Sequence, residues 1–165
     1  MEMKKQQVAP FERVVAEHGA AVLRVCNSIL GPGADAQDAW SETFLAALSA
    51  YPDLAPGANV QGWLVRIAHN KAVDLIRAAS RRAVPAAELP EGESAIGIPA
   101  APDDTVWRAL ASLPFKQRQA VAYHHVAGLP HADVAAILGG TPTAARKAAS
   151  DGMKSLRTLL DPKDR

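Results

Sequence analysis

Cysteine is nearly absent. Cys26 is the only one in 165 residues, which excludes an internal disulfide and any zinc or iron–sulfur site built on several thiolates. Aromatic residues make up only 5% of the chain while alanine is abundant, so composition favours helices over sheets. No apolar run approaches the roughly 18 residues that a membrane span needs, and no membrane insertion is expected. The opening residues turn polar after two lysines and never form the unbroken apolar stretch of a signal peptide, so a cytoplasmic location is expected. A glycine-rich phosphate loop, GxSxG and HExxH are all missing. No catalytic residue, metal ligand or cofactor is therefore expected, and the chain does not read as an enzyme. His124, His125 and His131 with Asp133 fit no metal-ligand spacing, so surface or partly buried roles are expected for them.

What is present is an uneven charge distribution beneath a net charge of +1. Residues 1–82 carry +1, residues 83–104 carry −5 with no base, and residues 105–165 carry +5. The middle segment also holds four prolines and little that could build a packed face, so it reads as an acidic, flexible linker between two modules. Both flanks read as helical. Val14, Val15, Val22, Val25, Cys26 and Ile29 recur at three- and four-residue spacing until Gly31-Pro32-Gly33 ends the pattern. A second helix is expected from near Asp35 through Trp40, Phe44, Leu45 and Leu48 to Tyr51-Pro52. A third carries Val60, Trp63, Leu64, Ile67, Ala68, Leu75 and Ile76 on one face. Further helices are expected at about 103–112, 114–127, 131–138 and 142–160.

Three local patterns carry function. In the last two helices, Ala135 followed four residues later by Gly139, with Val134, Leu138 and Ala145 at apolar positions, matches a helix-turn-helix. A small residue lets the helices cross closely, and glycine permits the left-handed backbone of the turn. Thr141 suits an N-cap and Pro142 a first helical turn, so the following helix would offer Thr143, Arg146 and Lys147 to base edges and phosphates. The stretch from Arg66 to Arg82 holds five bases (Arg66, Lys71, Arg77, Arg81, Arg82) and one acid, beside Asn70 and the indole of Trp63. Such a helix can track phosphates and stack single-stranded bases, although a Trp at helical spacing is more often core. Upstream, Asp35, Asp38 and Glu42 crowd one region, with Asp38 and Glu42 four apart on one face. The helix dipole accounts for acids in a first turn, but Glu42 lies too far along for that.

The order of acidic helix, basic-aromatic helix, acidic linker and C-terminal helix-turn-helix resembles the extracytoplasmic-function (ECF) group of bacterial RNA polymerase sigma factors. The resemblance covers about residues 10–160. It rests on Asp35-Ala36-Gln37-Asp38 with Ser41-Glu42-Thr43-Phe44-Leu45, on Trp63-Leu64 and Ile67-Ala68-His69-Asn70 with Asp74 and Arg77, and on Leu113-Pro114 with Gln117-Arg118. Gly128-Leu129, Val134-Ala135 and Leu138-Gly139 complete it. It implies an all-α chain of two small domains. Residues 10–82 would be region 2, 83–104 the linker along the RNA-exit path, and 105–160 region 4. By the same resemblance Asp35, Asp38 and Glu42 would meet the clamp helices of the largest polymerase subunit. Trp63, Arg66, Asn70, Lys71, Arg77, Arg81 and Arg82 would serve the melted minus-10 element, with the loop 51–62 holding a flipped base. Thr141, Thr143, Arg146 and Lys147 would serve the minus-35 duplex, and region 4 would also touch the polymerase flap. Core RNA polymerase and promoter DNA are the implied partners, and an anti-sigma protein is a further one the family admits.

The chain departs from the family pattern at Ser41, Trp40 and Gly140, and in the recognition helix at Ala148 and Asp151, where Arg is common. Fewer cations and an added anion should weaken phosphate contacts. The alternative reading is a stand-alone helix-turn-helix regulator with a sensing first module, which would need neither an acidic docking face nor polymerase.

Overall fold

The computed structural model describes residues 9–82 and 104–161; the acidic linker lies outside the described residues except for Asp104, which begins a helix. All regular elements among the described residues are helical. The first module holds α1 (Phe11–Leu30), α2 (Ala34–Ala50), a short 3-10 turn (Tyr51–Asp53) and α3 (Val60–Arg82). The second holds α4 (Asp104–Ser112), α5 (Phe115–Val121), a π-helical turn (Ala122–Val126), α6 (His131–Leu138) and α7 (Pro142–Leu160).

Helix ends follow local chemistry. Gly31 closes α1 at φ 78°, and its N–H donates to Asn27 O at 2.9 Å. Thr141 caps α7 by accepting from Ala144 N–H at 3.1 Å, with Pro142 in the first turn, as its sequence suggested. Gly139 adopts φ 73°, the left-handed turn expected between α6 and α7. The sequence gives no sign of the π-turn: a continuous helix to about 127 was expected there, whereas Ala127 N–H reaches back to Ala122 O. The widened turn lets the chain leave α5 early and present His124 and His125 toward α7.

Val14, Val22, Cys26, Phe44, Leu64 and Ala68 fill the first module. Trp40 fits there because its indole N–H donates to Gly19 O at 2.8 Å and its ring lies 4.7 Å from that of Phe44. Leu110, Leu113, Val121 and Leu156 form a smaller cluster in the second module. A third cluster belongs to both modules: Val25, Ile29, Val65 and Ala72 pack with Tyr123, Leu129, Val134 and Ala149. Each fully buried large apolar side chain contributes roughly 1.5–3 kcal/mol relative to exposure, so this shared cluster is a strong reason for the modules to stay together. Polar contacts fix their register. The Tyr123 hydroxyl and His69 Nδ1 share a hydrogen bond of 2.7 Å, Arg118 donates to Ile29 O at 3.1 Å, and the Gln61 side-chain amide donates to Ala127 O.

Candidate polymerase and nucleic-acid interfaces

On α2, Ala36, Ala39, Thr43, Phe44 and Ala47 face inward, and the Thr43 hydroxyl is satisfied by Ala39 O at 2.6 Å. That rotation puts Asp35, Asp38 and Glu42 on the exposed side. Leu45 and Leu48, which periodicity alone placed in the apolar pattern, are instead 66% and 53% exposed. The outer face is thus acidic along one part and apolar along the next. Among the described residues no base forms an ion pair with Asp38 or Glu42.

On α3, Arg66, Asn70, Arg77 and Arg81 recur at four- and seven-residue spacing and are exposed, as is Arg82; Lys71 is half-buried. Trp63 is partly buried, packed on the first core with its ring 6.4 Å from Tyr51. It still lines a cleft of about 280 Å³ with Leu54, Asn59 and Arg66 on one side and Asp133, Ala136 and Ile137 of α6 on the other. Arg66 crosses that boundary, donating to Ala136 O at 3.0 Å. The loop before α3 therefore lies against the second module. Burial, and then the charges of Arg66 and Arg77, hold the His69 imidazole below its usual pKa, which favours the neutral ring beside the Tyr123 hydroxyl.

On α7, Ala145, Ala149, Gly152 and Leu156 are buried, leaving Thr143, Arg146 and Lys147 exposed on its first turns. Thr141 is exposed too, with its oxygen engaged in the cap. Lys147 pairs with Asp151 at 3.0 Å. Arg146 borders a second cleft with the three histidines of this module. The contacts that hold the modules together, through Gln61, His69, Arg118 and Tyr123, had not been singled out from the sequence. Their partners lie between 54 and 89 positions away, beyond any local pattern. Among the described residues no group of three or more His, Cys, Asp or Glu side chains is placed to hold a metal ion. No helix among them is long and apolar enough to cross a membrane.

Comparison with known proteins agrees with this layout. The model for Sigma-70 region 2 matches residues 14–82, and that for Sigma-70 region 4 matches residues 103–156. The RNA polymerase sigma factor CarQ of Myxococcus xanthus is 33% identical over 157 residues, spanning 91% of this chain and 88% of CarQ. The ECF RNA polymerase sigma factor SigD of Mycobacterium tuberculosis is 36% identical over 148 residues, spanning 82% of this chain and 70% of SigD. Among solved structures, CnrH in complex with the cytosolic domain of CnrY superposes with a TM-score of 0.67 at 27% identity, covering 93% of this chain and 88% of that one. Two helical modules with an acidic face, a basic stripe and a helix-turn-helix, matched along nearly their whole length by such relatives, place the chain in the family of ECF RNA polymerase sigma factors, which bind core polymerase and direct promoter recognition and transcription initiation.

Proposed function

We propose that the labour of this sigma factor is divided along the chain. Residues 10–82 dock on core polymerase and take the melted minus-10 strand, residues 105–160 read the minus-35 duplex, and residues 83–104 connect them. The observation that carries the reading is the outer face of α2, where Asp38 and Glu42 have no basic partner among the described residues and Leu45 and Leu48 stand in solvent. Exposed leucines beside unpaired carboxylates suit a partner surface that is itself part apolar and part basic. Asp35 extends the same acidic face. Arg66, Asn70, Lys71, Arg77, Arg81 and Arg82 supply the phosphate-tracking surface, and Trp63 supports the loop. Thr143, Arg146 and Lys147 supply the duplex-reading surface, with Thr141 holding the start of that helix.

In this reading the protein has no catalysis of its own and works in the cytoplasm as a dissociable subunit. An anti-sigma protein is included as a partner, since CnrH was solved with the cytosolic domain of CnrY.

Reconstitution with core polymerase tests the assignment. Asp38→Lys with Glu42→Lys should abolish co-purification with core polymerase and promoter-dependent run-off transcription while helical content stays intact. Asn70→Ala with Lys71→Ala should reduce open-complex formation more than binding of minus-35 duplex. Unchanged core binding by the first variant, or equal losses in both assays by the second, would remove the corresponding assignment.

A further inference from the structure

The second cleft of the C-terminal module is unlike its neighbours. It has a volume of about 220 Å³ and is lined by His124, His125, His131, Arg146, Ser150 and Arg157, together with the apolar Ala149 and Met153. Three elements converge on it: the π-turn brings His124 and His125, α6 brings His131, and α7 brings both guanidiniums and the hydroxyl. Among the described residues no carboxylate lines it. Of the acids on these elements, Asp151 pairs with Lys147, and Asp133 lines the other cleft, with Trp63 and Arg66. The lining thus combines two guanidiniums with a hydroxyl and imidazoles that can donate, a set that suits an anion.

Details of the rings sharpen the chemistry. His124 donates from Nδ1 to Leu129 O at 2.7 Å, so its Nε2 is the atom that can accept a further proton. His131 stacks on His124 with ring centroids 3.8 Å apart, and His125 meets His124 edge-on at 4.8 Å. His131 Nδ1 is buried and has no hydrogen-bond partner within the described residues. A buried donor or acceptor left unpaired costs free energy that a bound group could recover.

We propose that this cleft is a phosphate-class oxyanion site, in which Arg146 and Arg157 bind the anion's charge and the Ser150 hydroxyl and an imidazole N–H complete its shell. The occupant is either a free tetrahedral oxyanion or a phosphodiester of duplex DNA lying along α7; only the second source rests on the duplex-reading role proposed above. Binding is coupled to proton uptake. Burial, then the charges of His124 and Arg157, keep His125 below its usual pKa, while burial, then His124, Arg146 and His125, do so for His131. An anion placed among them reverses the sign of the local field and favours the imidazolium. Affinity therefore rises on acidification, by up to about tenfold per pH unit where one imidazole takes up a proton.

Sulfate is the probe, because its charge does not change across the histidine range. The full-length protein is titrated with sodium sulfate at constant ionic strength near about pH 5.5 and about pH 7.5, following the histidine Hε1 resonances. Saturable shifts of His125 and His131 are expected, with binding at least about fivefold tighter at the lower pH. Arg157→Gln, at an exposed position, should weaken sulfate at least about fivefold, and His125→Gln should reduce the pH dependence with its helical content unchanged. Shifts that grow linearly with sulfate, or an Arg157→Gln protein that saturates as the parent does, would overturn the site. Competition between a promoter duplex and sulfate supports the phosphodiester as occupant; simultaneous binding supports a free oxyanion. Because sulfate binding is read without polymerase, failure of the chain in run-off transcription would count against the functional reading and not against this cleft.

Discussion

Lys147 and Asp151 form an ion pair of 3.0 Å one turn apart on α7, in the stretch expected to face duplex DNA. The pair is solvent-exposed, so it contributes little to stability. Its larger effect is to occupy the ammonium of Lys147. Asp151→Ala should therefore tighten duplex binding and increase the magnitude of the salt slope by about one phosphate contact, while changing unfolding free energy by no more than about 0.5 kcal/mol. Fluorescence anisotropy over a salt series, with parallel urea melts, checks both halves.

Gly152 lies inside α7 where α5 crosses it. A Cβ there would stand 2.6 Å from Val121 Cγ2 and 3.3 Å from Gln117 O. Overpacking of this kind costs roughly 1–3 kcal/mol, against a helix-propensity gain of about 1 kcal/mol for Ala over Gly. Gly152→Ala should lower the melting temperature by a few degrees, about 2–4 °C for each net kcal/mol lost. A calorimetric scan showing an unchanged or higher Tm would refute the close approach.

Acid should loosen the contact between the modules. The His69 pKa is lowered from the ordinary 6.5, by burial and then by Arg66 and Arg77, so the unfolded or separated chain binds more protons there than the packed one. Its contribution is full above 6.5 and is lost as pH falls from that value through the lowered one. His125 and His131 shift the same way and add to the slope. Stability measured by denaturant from pH 7 downward should fall, and His69→Gln should flatten the curve. An equal slope in the variant would assign the effect to the other two histidines.

Cys26 is 1% exposed, and burial raises its pKa to about 11. The thiolate is scarce at neutral pH and shielded as well. A thiol reagent should leave the folded protein unlabelled over the time in which it labels the denatured chain fully, which mass spectrometry reads directly.

How far the sequence revealed these features depends on the range of the interaction. The stop of α1 at Gly31 and the Thr141-Pro142 start of α7 are set by neighbours in the chain, so the end of a periodic run and a cap located them. Leu45 and Leu48 misled that reading, because an apolar residue on a helix looks the same in sequence whether it packs inside or waits for a partner. The closeness of Asp38 and Glu42 was legible from their spacing; that no base among the described residues pairs with them was not. Gly152 in sequence is only a weak point in a helix, and its reason appears once Val121 is seen against it. The histidines fit no metal-ligand spacing in the sequence, and the stacking of His131 on His124 is visible only once the π-turn redirects the chain between α5 and α6.

The cluster shared by the two modules also bears on the order of synthesis. Val25, Ile29 and Val65 are made well before Tyr123, Leu129 and Val134, the side chains that cover them. At roughly 5–20 residues per second, the span from the end of α3 to the end of α7 takes about 4–16 s on the ribosome. Throughout that interval the first module presents an unfinished apolar surface. Aggregation during translation, or capture by a chaperone, has its opening there, and a nascent chain stalled within the linker would keep that opening for as long as the stall lasts.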